Sequence, residues 1–241
     1  MMFTDIPIVI ISFERYAYLR HMVEQFLELS VTRSDIVIVD NASTYRPLQG
    51  YLDELEHHGH PVLRMSANRG YKVAFEPDLW VRWPRFVAIT DPDLSFRSDI
   101  PRTFRSDLAM LAQAHRMPKV GCALDISDAH LFVNETDYAR RGVTIEDWER
   151  QFWIDRIDET EPPVYRAFVD TTFAVYDKTR YRHSNHLEAL RVAGSFTAKH
   201  IPWYRREAAP IACVPSHEEE EIYARSSWCS SLTLQKKGYL Q

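Results

Sequence analysis

Short apolar runs rich in β-branched residues, each followed by a polar loop and then a helix-spaced segment, constrain this chain more than any other feature. Ile6-Pro7-Ile8-Val9-Ile10-Ile11 is the first run, and Ile36-Val37-Ile38-Val39 the second. A strand with one wet face alternates apolar with polar residues, whereas a continuous apolar run suits a strand buried on both faces, as in a parallel sheet. Between these runs, Tyr18, Leu19, Met22, Val23, Phe26, Leu27 and Leu29 recur at helical spacing. Leu48, Tyr51, Leu52 and Leu55 predict a second helix, Pro61 to Met65 a third strand, and Phe86 to Thr90 a fourth. Strand and helix in alternation predict βαβ units on a parallel sheet.

In such sheets ligands bind beyond the carboxyl ends of the strands. Ser12 to Arg15, Asp40 to Ser43, Asn68 to Gly70 and Asp91 to Asp93 all follow strand candidates. All four clusters are therefore expected on one rim. The second half is less regular. Phe104 to Ala114 predicts a helix, Lys119 to Leu124 a strand, Ile145 to Ile154 a helix, and Ala167 to Tyr176 a long strand.

Bulk composition narrows the chemistry. With 241 residues, 45% hydrophobic and 26% charged, the chain suits one α/β domain with a sizeable core. A net charge of -5 argues against a nucleic-acid partner. Only seven glycines occur, and no glycine-rich phosphate loop is present. Cys122, Cys213 and Cys229 are scattered, which points to a reducing compartment without structural zinc. No apolar run is long enough to span a bilayer and no leader is evident. A cytoplasmic protein is expected, with loose association at the inner membrane face as the alternative.

Asp91 and Asp93 are separated only by Pro92, which fixes its own φ and disfavours helix at Asp91. Two carboxylates so close repel unless a cation lies between them or one is protonated. Mg²⁺ and Mn²⁺ prefer oxygen ligands and bridge phosphate oxygens, so a strand-end Asp-x-Asp suits a metal–diphosphate ligand. The alternative for this tripeptide is an ordinary turn. The apolar strand before it and the polar clusters sharing its rim favour the metal.

Ile8-Val9-Ile10-Ile11-Ser12-Phe13-Glu14-Arg15, Ile36-Val37-Ile38-Val39-Asp40-Asn41-Ala42-Ser43, Ser66-Ala67-Asn68-Arg69-Gly70 and Ile89-Thr90-Asp91-Pro92-Asp93-Leu94, in that order, resemble GT-A glycosyltransferases, family 2 most closely. The resemblance covers the first hundred residues; the second half aligns with no family member. It implies a Rossmann-like, mostly parallel central sheet flanked by helices, with a smaller mixed sheet on the acceptor side. It implies a single domain over 1–241, with 1–100 binding the nucleotide-sugar and 101–241 the acceptor. Ser12, Phe13 and Glu14 would line the nucleotide pocket, with Phe13 stacking on the base. Asp40 would accept a hydrogen bond from the base, uracil being expected. Asn68 and Arg69 would lie near the base or diphosphate. Asp91 would face the ribose and metal-bound water, and Asp93 would ligate Mn²⁺ or Mg²⁺. Asp40, Asn41, Ser43 and Asn68-Arg69-Gly70 also read as plain turns. For a further metal ligand, His200 before Ile201-Pro202-Trp203 resembles C-terminal ligands of other GT-A families; His217 is second.

The implied reaction moves a sugar from a nucleoside-diphosphate donor to a saccharide or lipid-linked saccharide. An inverting transfer needs a carboxylate base for the acceptor hydroxyl, whereas in a retaining one the leaving diphosphate can take that proton; the sequence leaves the two open. Asp170 is the first candidate, because an Asp in an apolar strand is costly without a role. Glu219, in the run Glu218 to Glu221, is the second. Glu146-Asp147 looks like the acidic pair of family 2, but it precedes the Asp170 segment and reads as a helix start. Trp148, Trp153, Trp203, Tyr204 and Trp228 are available for stacking on sugars, with Trp203-Tyr204 favoured. The rivals are a non-catalytic nucleotide-sugar-binding module and a sugar-1-phosphate nucleotidyltransferase.

Overall fold

A computed structural model describes residues 6–133, 142–157, 161–209 and 213–225. Its central sheet has eight strands, in the order β3-β2-β1-β4-β8-β6-β9-β7. These are β1 (Ile8–Ser12), β2 (Ile36–Asp40), β3 (Val62–Arg64), β4 (Phe86–Thr90), β6 (Lys119–Cys122), β7 (Val164–Arg166), β8 (Ala174–Asp177) and β9 (Leu190–Val192). A second, two-stranded sheet pairs β5 (Leu94–Phe96) with β10 (Ala198–His200). The helices are α1 (Tyr16–Glu28), α2 (Arg46–His57), the short α3 (Pro77–Trp80), α4 (Phe104–Ala114), α5 (Ile145–Arg150) and α6 (His217–Arg225).

The first four strands of the central sheet behave as their composition requires. Along β1, β2 and β4, alternate residues enter different cores. Ile8, Ile10, Ile36, Ile38 and Ala88 pack with Leu19, Met22, Phe26, Leu48 and Leu52 of α1 and α2. Val9, Ile11, Val37, Val39, Val87 and Ile89 pack with Val73, Phe75, Leu79 and Trp83. Both faces are dry, so polar residues along these strands are confined to their last positions, Ser12, Asp40 and Thr90. β1 pairs in parallel with β2 and β4, and β2 with β3.

Beyond β4 the sheet becomes mixed. β8 runs antiparallel to both β4 and β6. The long strand expected over 167–176 is only Ala174–Asp177; residues 167–173 are irregular. Their backbone turns away from the ladder to border a cavity, which periodicity alone does not reveal. The helix expected over 145–154 is α5 only to Arg150, and Gln151–Trp153 tighten into a 3₁₀ turn. Three short strands, β5, β7 and β9, and the acidic helix α6 have too few apolar residues to stand out in the sequence. His60, just before β3, is buried. Among the described residues no helix is long and apolar enough to cross a membrane.

Candidate functional site

Parallel pairing sets the rim. Ser12 of β1 lies in register with Asp40 of β2, and Asp40 with Arg64 of β3. The loops that follow are stitched together by buried side chains. Glu14 has a left-handed φ of 53°. Its carboxylate accepts from the Thr44 amide at 2.6 Å, the Thr44 hydroxyl at 2.9 Å and the Tyr45 amide at 2.8 Å. It therefore serves the start of α2, and its charge is not left for a nucleotide. Asn41 is fully buried and binds the third loop: its Nδ2 donates to Asn68 Oδ1 and to the Gly70 carbonyl, both at 3.0 Å. The Arg69 amide returns a bond to Asn41 Oδ1 at 2.8 Å. Gly70 takes the left-handed conformation of its turn, with φ of 85°.

Ser12 and Asp40 are almost wholly buried. Asp40 Oδ1 accepts from the Ser43 amide at 3.3 Å, which is the turn geometry its sequence also allowed. Burial pushes the Asp40 carboxyl up, opposed by Ser43. Arg69 points elsewhere: its guanidinium is held bidentately by Asp78 at 2.8 and 2.9 Å, and also by Glu76. Arg15, in the loop after β1, is a cation that does face the site. It borders a small cavity with Phe13, Asp91, Asp93 and Tyr223.

Asp91 follows the last residue of β4. Because β8 is antiparallel to β4, the segment entering β8 passes beside Asp91. The Asp91 amide donates to the Thr171 carbonyl at 3.0 Å, and the Thr171 hydroxyl donates to the Asp91 carboxylate. Burial, then Asp93, then Asp170, drive the Asp91 carboxyl well above the ordinary range. His200 reaches the site through the smaller sheet. β10 pairs antiparallel with β5, placing His200 opposite Leu94, and the Ile201 amide donates to the Asp93 carbonyl at 2.9 Å. The ring Nε2 consequently lies 3.4 Å from Asp93 Oδ2. Burial opposes ionisation of Asp93, but His200 and Arg15 outweigh it and hold this carboxyl low. The two aspartates thus differ: one strongly disfavours its charge and the other keeps it.

Asp93 Oδ1 and His200 Nδ1 are buried without a hydrogen-bond partner. An orphaned carboxylate oxygen beside a second, repelled carboxylate and an imidazole fits a divalent cation. Among the described residues no three such side chains are already gathered tightly enough to hold an ion unaided. The donor set therefore fits a metal that takes its remaining oxygens from a phosphate ligand and water, as Mg²⁺ commonly does.

Shared residues link the cavities of the rim. One of about 450 Å³ is bordered by Phe13, Glu14, Thr44 and Asn68, with Ile222 and Arg225 of α6. Phe13 also borders the cavity of about 60 Å³ that holds Arg15, Asp91 and Asp93. Asp91 in turn borders a third, of about 210 Å³, with His200, Asp170 and Thr171. Trp148, Trp203, Glu149 and Arg191 complete its wall. Asp170 is exposed at its edge rather than buried in a strand.

Glu149 and Arg191, both nearly wholly buried, form an ion pair facing the third cavity. Burial nevertheless pushes the Glu149 carboxyl up to about 7, against the Arg191 charge. The helix pattern gave a hint of this residue, since Glu149 lies on the face opposite Asp147. Glu146 and Asp147 stay out of the cavity: Glu146 pairs with Arg150, and the Asp147 amide donates to the capping Thr144 hydroxyl at 3.0 Å. Glu219 is buried on α6 and accepts from the Ala17 amide at 3.2 Å. Its carboxylate is engaged at the α1 N-terminus and does not border the third cavity. His217 is exposed and paired with Glu221, away from the aspartates. Trp203 is buried with its ring centre 4.8 Å from that of His200, while Tyr204 donates its hydroxyl to Asp128. Trp228 and Cys229 lie outside the described residues.

No family model matches the chain, and no curated protein matches it in sequence. Solved structures do resemble it. A mannosyltransferase from Pyrobaculum calidifontis, in complex with GDP-Man and Mn²⁺, superposes over 98% of this chain with a TM-score of 0.53 at 12% identity. GalNAc-T7, with UDP, GalNAc and Mn²⁺, covers 80% of it with a TM-score of 0.54 at 13% identity. The matches span 65% and 43% of those two chains, so each relative is considerably longer. At these identities the likeness is one of architecture: the chain has the fold of the GT-A glycosyltransferases.

Proposed function

We propose that this protein is a divalent-metal-dependent glycosyltransferase, moving a sugar from a nucleoside-diphosphate donor, a UDP-sugar in the first instance, to a saccharide or lipid-linked saccharide. The observation that carries this reading is the succession of three cavities joined through Phe13 and Asp91. Their order suits a nucleoside, a diphosphate and a sugar in turn.

Asp93 and His200, with Asp91 beside them, would hold the metal. When bound, Mn²⁺ or Mg²⁺ supplies a positive charge that offsets the charge gathering on the departing diphosphate. The other work falls to the chain itself. Phe13 and Asn68 border the space for the nucleoside, where the ring offers a stacking face. Trp203, buried, and Trp148, half-buried, would provide flat apolar walls for a sugar and help keep water from the reacting carbon. Asp170, exposed at the same cavity and without a committed hydrogen bond among the described residues, would take the acceptor hydroxyl proton in an inverting transfer. Thr171 keeps Asp91 turned toward the junction of the two smaller cavities.

Thermal stabilisation by UDP, GDP and their sugar conjugates, with Mn²⁺ and with EDTA, tests the reading. Metal-dependent stabilisation in the parent and its loss in Asp93→Ala are expected, together with slow release of nucleoside diphosphate from the matching donor. If no nucleotide stabilises the parent in either condition, the assignment falls. Tight binding without turnover over a range of acceptors would leave the binding module as the answer.

A further inference from the structure

Arg15 is buried to the point of 9% exposure, at the entry to α1. A guanidinium carries five N–H donors and cannot shed its charge, so burying one without acceptors costs several kcal/mol. Among the described residues no carboxylate forms an ion pair with it. Asp93 is engaged by His200, and Glu219 by the Ala17 amide. Aromatic faces surround it instead: its central carbon lies 3.3 Å from the centre of the Tyr223 ring and 5.1 Å from that of Tyr18. Such stacking covers the flat face of the guanidinium and leaves its in-plane donors for an acceptor at the edge. Arg15 borders the small cavity shared with Asp91, Asp93 and Phe13, and on its other side a cavity of about 410 Å³ lined by Tyr18, Tyr204 and Arg205. Two carboxylates and an unpaired arginine around one cavity suit a metal and an anion together better than either alone.

We propose that Arg15 is the protein's own cation for the diphosphate of the donor, and that Tyr223, carried by α6, holds it in place. This rests on the nucleotide-sugar reading above. Arginine binds phosphate oxygens through paired charge-assisted hydrogen bonds, which a metal does not duplicate. Helix α6 thereby becomes part of the donor site. Among the contacts that seat it are Glu219 on the α1 N-terminus, Ser216 Oγ at 3.0 Å from Tyr45 Oη, and Tyr223 on Arg15.

Calorimetric titration in EDTA separates this role from that of the metal. The probes are UDP, GDP, uridine, guanosine and inorganic pyrophosphate; the proteins are the parent, Arg15→Gln, Arg15→Lys and Tyr223→Leu. The parent should bind one nucleoside diphosphate at least tenfold more tightly than its nucleoside. Arg15→Gln should remove that preference and leave nucleoside affinity unchanged, with Arg15→Lys recovering part of it. Tyr223→Leu, which keeps the charge, should weaken the diphosphate several-fold and serves if Arg15→Gln does not fold. Equal diphosphate affinity in the parent and in these variants overturns the role of Arg15 while leaving the nucleotide reading intact. Arg15-dependent pyrophosphate binding without any nucleotide preference overturns the nucleotide reading and keeps Arg15 as an anion site. Binding of no probe by the parent overturns both.

Discussion

His200 Nε2 lies 3.4 Å from Asp93 Oδ2, although the two residues come from opposite halves of the chain. Their meeting depends on one small piece of antiparallel sheet, β5 with β10. If this pair holds the metal, Asp93→Ala and His200→Ala should each reduce kcat/KM by about 100-fold or more, since a catalytic metal supplies several kcal/mol. Nucleotide-induced stabilisation should lose its Mn²⁺ dependence in the same variants. Retention of that dependence in both would place the metal elsewhere.

Asp170 and Glu219 separate in kinetics. Asp170→Asn should lower kcat by roughly 10²- to 10⁴-fold with little change in donor KM, the range for loss of a positioned base. Glu219→Gln preserves the acceptor for the Ala17 amide and should keep kcat within a few-fold of the parent at neutral pH. A reversal of these two results would move the base to α6.

Glu14 is a stability residue in this geometry. Its carboxylate accepts three hydrogen bonds from Thr44 and Tyr45, two of them from amides. Glu14→Ala should cost about 2–4 kcal/mol in urea unfolding, because bonds to a charged group are worth more than neutral ones and the amides are left unpaired. An unchanged unfolding midpoint would contradict the structural role.

Gly121 leaves no room for a side chain. A Cβ there would stand 2.6 Å from the Phe173 carbonyl oxygen and 2.8 Å from Val169 Cγ1. Gly121→Ala should therefore destabilise the fold by about 1–3 kcal/mol. It should also impair the site, because the strained segment carries Asp170 and Thr171. Chemical denaturation and donor affinity measured together check both effects; a neutral variant would show that this segment moves freely.

Burial pushes the Glu219 carboxyl up from its ordinary value to about 7. The folded state then holds a proton that the unfolded state has released. The contribution to stability is complete below the ordinary glutamate range and is lost as pH rises through about 7. Glu219→Gln removes that titration. Its Tm relative to the parent should be higher at pH 8 than at pH 5.5, by a few degrees for a domain of this size. A difference that does not widen between the two pH values would mean that Glu219 is charged in the fold throughout.

The parallel half was legible from local pattern. Its strands are dry on both faces, so burial confines polar positions to their ends, and the polar residues crowd into the loops that follow. Asp91 and Asp93 were visible for that reason. His200 was legible only through its resemblance to ligands elsewhere, since no spacing links it to Asp93. Asp170 lies in an apolar stretch with the pattern of a strand, yet the segment is irregular because its backbone serves Asp91 and Lys119 instead of a ladder. Arg15 stood out only as part of the first polar loop and Glu149 only by its helix face, because a charge in a loop or on a helix face usually belongs to solvent. The sequence by itself determined which elements form and which end of the sheet is polar, through burial periodicity acting over a few residues. Only the tertiary structure decided which charges face one another: whether Arg15 meets a carboxylate or an aromatic ring, and whether Glu219 meets substrate or a helix end. Those outcomes depend on strand order and on where α6 docks, and neither is encoded in any local pattern.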